Sequence, residues 1–88
     1  MQYDKVLEID PNYKSALHNK GVALYNLGKH EEAIMQYDKA LAIDANYKYA
    51  LKNKGRALDN LGKYEEAIMQ YDKVLEIDAK DEIGRAHV

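Results

Sequence analysis

KSALHNKGVALYNLGKHEEAIMQYDKALAIDANY, residues 14–47, is followed without a gap by KYALKNKGRALDNLGKYEEAIMQYDKVLEIDAKD, residues 48–81, and the two agree at 25 of 34 places. Outward from this pair, the opening MQYDKVLEID of Met1 to Asp10 matches Met69 to Asp78 letter for letter. The chain therefore reads as a half unit holding a second helix only (1–13), two full units (14–47 and 48–81) and a truncated tail (82–88). A fixed period of this length marks stacked repeats, in which each unit is one supersecondary piece and neighbours share a core. The expected fold class is all-α, and function belongs on a surface that the stack creates.

The composition narrows the function classes. Eighty-eight residues make one domain at most, and a domain so small removes only about 60% of its unfolded surface from water. There is no cysteine, so disulfides and thiolate sites are excluded. The net charge is −2, with acidic and basic residues interspersed, whereas a nucleic-acid binder carries a basic excess on one face. No apolar run approaches the ~18 residues of a membrane span, and with no charged-then-apolar stretch ahead of the repeats neither a span nor a signal peptide is expected. The expected setting is cytoplasmic. Met1 stands where Met35 and Met69 stand in the full units, so it reads as a repeat residue and the chain as a piece of a longer array.

Along the chain, Tyr3, Val6, Leu7 and Ile9 fall at helical spacing until Asp10-Pro11-Asn12 stops them, because the residue before proline avoids the helical region. Asn12 is the expected N-cap of the next helix. Ala16, Leu17, Ala23, Leu24 and Leu27 then predict an amphipathic helix from about Tyr13 to Leu27, closed by Gly28 in the left-handed conformation. Glu31 to about Asp44 is its antiparallel partner, with Ala33, Ile34, Tyr37, Ala40, Leu41 and Ile43 as the expected buried stripe. Gly21 lies inside a helix and costs about 1 kcal/mol against alanine there, so a close approach is expected, with Ala33 as the facing residue. The second unit repeats the script from about Tyr47 to Leu61 and from Glu65 to about Asp78. Glu82 to Val88 is too short for another first helix, and reads as a frayed turn or a remnant foreign to the repeat.

The spacing Leu17-x-x-Lys20-Gly21-x-x-Leu24 with Ala33-x-x-x-Tyr37, and its copy Leu51-x-x-Lys54-Gly55-x-x-Leu58 with Ala67-x-x-x-Tyr71, resembles the tetratricopeptide repeat. Three departures stand out: Leu17 and Leu51 replace a large aromatic, Lys20 and Lys54 replace a hydrophobic residue, and the proline between units survives only at Pro11, with Ala45 and Ala79 elsewhere. The resemblance implies a right-handed α-solenoid of antiparallel helix pairs. It also implies a concave groove, lined by the first helix of each unit, that binds peptide segments of partner proteins without catalysis.

The nine differences between the units are not scattered. In the first helices they are Ser15 against Tyr49, His18 against Lys52, Val22 against Arg56 and Tyr25 against Asp59, a single stripe of the helix. That stripe coincides with the groove the resemblance implies, so these eight residues, together with Asn19, Asn26, Asn53 and Asn60, are the candidate peptide-binding set. Asparagines suit backbone amides, Arg56 forks to a carboxylate, and tyrosines cover apolar side chains. A neutral-to-acidic segment is the expected partner, although a stripe that varies between units also fits a solvated face free to drift. Asn19 and Asn53 match part of the two-carboxylate clamp by which some family members grip chaperone tails. The other clamp positions fall on His18, Val22, Ile83 and His87, none of them a lysine, asparagine or arginine.

Other chemistries find less support. His18, His30 and His87 lack metal-ligand spacing, so no metal or cofactor is expected, and no acid, base and nucleophile cluster. Gly28-Lys29 and Gly62-Lys63 lack the serine or threonine of a phosphate loop. The rival reading is structural. The opening helix, with Tyr3 and Leu7, and the last helix, with Ile68, Tyr71 and Leu75, each lack a neighbour, and exposed apolar faces invite self-association. A homo-oligomer is expected from that reading, stacked end to end or swapped about Gly28 or Gly62.

Overall fold

The computed structural model describes the backbone of residues 13–86 and the side chains of residues 13–80. Four helices make up this part of the chain: α1 Lys14–Asn26, α2 His30–Ile43, α3 Lys48–Asn60 and α4 Tyr64–Ala86. The links between α1 and α2 and between α3 and α4 are so short that each pair lies antiparallel. Every helix packs most closely on its hairpin partner, α3 packs next on α2, and α1 touches α3.

Each hairpin turn is built by one glycine. Gly28 and Gly62 have φ of 81° and 77°, a region that costs residues with a Cβ about 1–2 kcal/mol. That conformation returns the Gly28 amide to the Tyr25 carbonyl and the Lys29 amide to the Leu24 carbonyl, both at 2.9 Å. The second turn repeats the pattern with Gly62 to Asp59 and Lys63 to Leu58, so both helices close with the Schellman arrangement. At the other ends Glu31, Glu32, Glu65 and Glu66 occupy first turns, where a negative charge opposes the helix dipole.

The N-caps differ from the asparagine expectation. Asn12 lies outside the described residues, and Tyr13 and Tyr47 hold the cap positions in extended conformation without a side-chain cap bond. Asn46, the counterpart of Asn12, instead gives its backbone amide to Asp44 Oδ1 at 3.1 Å. Lys14 Nζ meets Asp44 Oδ2 at 2.6 Å, and Lys48 Nζ meets Asp78 Oδ1 at 2.8 Å. Each pair therefore ties the start of a first helix to its partner, at the C-cap residue of α2 and at Asp78 within α4.

The core runs through the seam between units. Leu17, Ala33, Tyr37, Ala40 and Ala50 form one buried cluster drawn from α1, α2 and α3, with Val22, Leu24, Tyr25, Leu41 and Tyr47 packed on it. Gly21 faces Tyr37 rather than Ala33: a Cβ there would lie 2.5 Å from the Tyr37 ring, and one at Gly55 would lie 2.6 Å from the Tyr71 ring. The glycines thus make room for an aromatic edge, which the small-on-small expectation missed.

Three expectations fail at the margins. Leu27 is exposed; its counterpart Leu61 lies against the α1–α2 turn, whereas no described turn precedes α1. Ile43 is also exposed, because it lies at the edge of the arc centred on Ala33, Tyr37 and Ala40. Finally, α4 continues to Ala86 instead of ending near Asp78. Lys80 stands where Asn46 makes its turn, and lysine favours helix over turn where asparagine does the reverse.

Candidate interaction surface

The varied stripe of the first helices lies at the α1–α3 contact. Its α1 half is partly covered there: Ser15, His18, Val22 and Tyr25 are half-buried, while Tyr49, Lys52, Arg56 and Asp59 on α3 are exposed. Val22, Tyr25 and Asn26 from α1, Asn53 and Arg56 from α3, and the edge of Tyr37 from α2 line a shallow cavity of about 190 Å³. The Arg56 guanidinium sits over the Tyr25 ring, 5.6 Å from its centroid, close enough for a cation–π attraction. Asn60 Nδ2 donates to the Arg56 carbonyl on its own helix and to the Tyr25 hydroxyl across the contact, which ties the Tyr25 wall to α3.

Above this cavity an aromatic group forms around His18. Its ring lies 5.8 Å from Tyr37, 5.7 Å from Tyr47 and 6.1 Å from Tyr49, and the two tyrosines of α3's start meet edge to face at 5.7 Å. Asn53 Nδ2 is 2.7 Å from His18 Nε2. Burial holds the His18 pKa below its ordinary value, against a smaller upward pull from the Asn19 side chain. Burial also pushes the Tyr37 hydroxyl up to about 12.

The expected set is therefore brought together only in part. His18, Val22, Tyr25, Asn26, Asn53, Arg56 and Asn60 converge, and Tyr49 joins through its ring contacts. Ser15, Asn19 and Lys52 do not line the cavity, and the Asp59 carboxylate accepts from the Tyr71 hydroxyl on α4 at 3.0 Å. Asn53, half of the partial clamp match, is already engaged by His18. Two contributors were missed. The sequence pattern places Tyr37 in the core alone, since its copied position gives no sign that one edge of the buried ring also lines the cavity. Tyr47 lies at the unit boundary, outside the first-helix stripe, although it differs from Asp81 in the same internal comparison. Among the described residues no three acidic or histidine side chains gather as a metal site, and no helix is long and apolar enough to cross a membrane.

A family profile described as tetratricopeptide repeat matches residues 13–80. The chain belongs to the tetratricopeptide repeat family. Its helix pairs accordingly form the α-solenoid of that family. Among solved structures it is similar to MamA, at 25% identity and a TM-score of 0.85 over 90% of this chain and 46% of that one. It is also similar to the first tetratricopeptide domain of Spaghetti (RPAP3) bound to the HSP90 peptide SRMEEVD, at 31% identity and a TM-score of 0.84 over 88% and 61%. The second domain of that protein, bound to the same peptide, matches at 29% identity and 0.80 over 83% and 68%. This tetratricopeptide chain thus spans slightly under half of MamA and about three fifths of the first RPAP3 domain. None of the curated proteins matches it in sequence.

Proposed function

We propose that this chain is a protein-interaction module that takes an extended, neutral-to-acidic peptide segment along the α1–α3 surface. The observation that carries the reading is the cavity of Val22, Tyr25, Asn26, Tyr37, Asn53 and Arg56, in which a cation is held over an aromatic wall beside two amides. Arg56 is pre-positioned by Tyr25, so little side-chain freedom is lost when it forks to a carboxylate. The apolar parts of Val22, Tyr25 and Tyr49 suit the side chains between such groups. Support comes from the RPAP3 domains, whose bound peptide SRMEEVD has three acidic side chains against one arginine. The reading treats the module as an adaptor with no catalytic part.

Titration of matched acidic and basic versions of one captured peptide tests the charge preference. The acidic version should bind about fivefold tighter at low salt, with the gap closing as salt rises. Arg56→Ala should erase the difference at unchanged helicity. Equal affinities of the two peptides for the parent chain would sink the charge assignment. A second reading, a self-associating repeat fragment, is favoured by the outer face of α4, where Ile68 is 55% and Leu75 65% exposed.

A further inference from the structure

Two side-chain hydrogen bonds join α1 to α3, one between His18 and Asn53 and one between Tyr25 and Asn60. Their members stand seven residues apart on each helix, 18 to 25 and 53 to 60, which is two turns along one face. The asparagines are copied in α1 as Asn19 and Asn26, but their partners are not copied in α3. His18 and Tyr25 belong to the varied stripe and give way there to Lys52 and Asp59. A lysine ammonium cannot accept from an amide, so the His18–Asn53 bond belongs to this unit boundary and is not a property of every unit.

A proton acts on one of these bonds and not on the other. A phenol and an amide do not titrate near neutral pH, whereas an imidazole does. His18 Nε2 must stay unprotonated to accept from Asn53 Nδ2 at 2.7 Å. Around that ring pack Tyr37 from α2 and Tyr47 and Tyr49 from α3, and among the described residues no carboxylate bonds it. On its own helix Lys14 is one turn away, its ammonium on Asp44 and over the Tyr47 ring; on α3 the exposed charges of the stripe are Lys52, Arg56 and Asp59, the last accepting from Tyr71. Asn53 also lines the α1–α3 cavity with Arg56, so its bond to His18 decides what its amide can offer there. A second proton on the ring sets two donors face to face. The amide then turns end for end or parts from the ring, and either move frees Nδ2 on a residue that lines the cavity.

We propose that the His18–Asn53 bond is a proton-operated latch on the peptide surface, closed while His18 is neutral and opened by its protonation, so that an acidic segment then binds more tightly. The latch rests on the peptide reading, whose surface it regulates. Opened, that surface gains a free N–H donor and a second positive charge beside Arg56, and both favour a carboxylate. Tyr25 and Asn60 hold α1 to α3 in either state. Burial keeps the ring below its ordinary pKa, so the closed state prevails at neutral pH, and a bound carboxylate draws His18 back toward its charged form by linkage.

Two measurements on the full chain separate the latch from the peptide reading. In the free chain, NMR should show the Asn53 side-chain amide signals moving with the His18 titration while those of Asn60 stay in place. In calorimetry with the peptide SRMEEVD, affinity should rise about threefold from about pH 7.5 to pH 5.5 at unchanged helicity, with a smaller gain for the amide-substituted SRMQQVN. His18→Gln, which keeps an acceptor without a titrating group, should abolish the gain. His18→Lys, a fixed cation, should hold the tighter affinity at both pH values, and His30→Tyr, which installs the residue of the second unit, should keep the parent profile. An Asn53 amide indifferent to the His18 titration overturns the latch whatever the peptide does. An affinity for SRMEEVD that stays flat, a gain equal for both peptides, or a gain that survives His18→Gln overturns the regulation. No SRMEEVD binding at either pH is the failure of the peptide reading and takes the regulation with it, and the Asn53 signals tell that failure from one of the latch.

Discussion

His18 Nε2 faces the Asn53 amide nitrogen at 2.7 Å across the unit boundary, and an amide donor requires that ring nitrogen to be an acceptor. The ring is then neutral with its proton on Nδ1, and a second proton would set two donors against each other. Burial acts in the same direction, so the folded-state pKa lies below the ordinary 6.5. For a base whose folded pKa is lowered, the unfolded chain takes up the proton first. Stability is full above about pH 6.5, falls as pH drops through that value, and levels off below the folded value. Asp44 acts in a separate window. Its Lys14 partner and the Asn46 amide hold its pKa below 3.8, so that contribution is lost only as pH falls below 3.8. Thermal unfolding between about pH 7 and pH 5 should therefore show a declining midpoint, and His18→Gln should flatten that decline. An unchanged slope in the variant would mean that another group carries it.

At the scale of helices, the approach of α1 to α2 and of α3 to α4 turns on how far a tyrosine can yield. A Cβ at Gly21 would press within 2.5 Å of a Tyr37 ring that is 1% exposed. The Tyr71 ring facing Gly55 is only half-buried, and its hydroxyl is tied to the exposed Asp59. Gly21→Ala gains about 1 kcal/mol of helix propensity but overpacks a closed site at a cost of about 1–3 kcal/mol. It should lower stability by about 1 kcal/mol net, whereas Gly55→Ala, whose ring can swing outward, should be near neutral. Urea unfolding of the two variants distinguishes these, and equal losses would contradict the account. The period, the hairpin glycines and the acidic first turns were legible in sequence, because each depends on local backbone chemistry. The Gly21 partner was not, since it depends on which ring of the facing helix arrives at that level. The end of α4 is hidden for a related reason: Asn46 and Lys80 differ in turn chemistry, and a copied apolar pattern conceals the difference. The site was half legible. The internal differences located the α1–α3 stripe, but could not tell that Asp59 turns to Tyr71 while His18 and Tyr25 are half-buried at the α1–α3 contact.

Across the whole molecule, stability is distributed by neighbours. The buried cluster draws on α1, α2 and α3, and α2 is packed by both α1 and α3. Among the described residues α4 packs on α3 alone, with Ile68 and Leu75 open to solvent. In a repeat stack each unit's stability is its own plus that of its interfaces, and local opening follows the number of covered faces. Native-state hydrogen exchange should find the slowest amides in α2 and α3, around Tyr37, Ala40, Ala50 and Leu51, and faster exchange along α4 from about Lys73 onward. Uniform protection of all four helices in the dilute chain would contradict the neighbour argument.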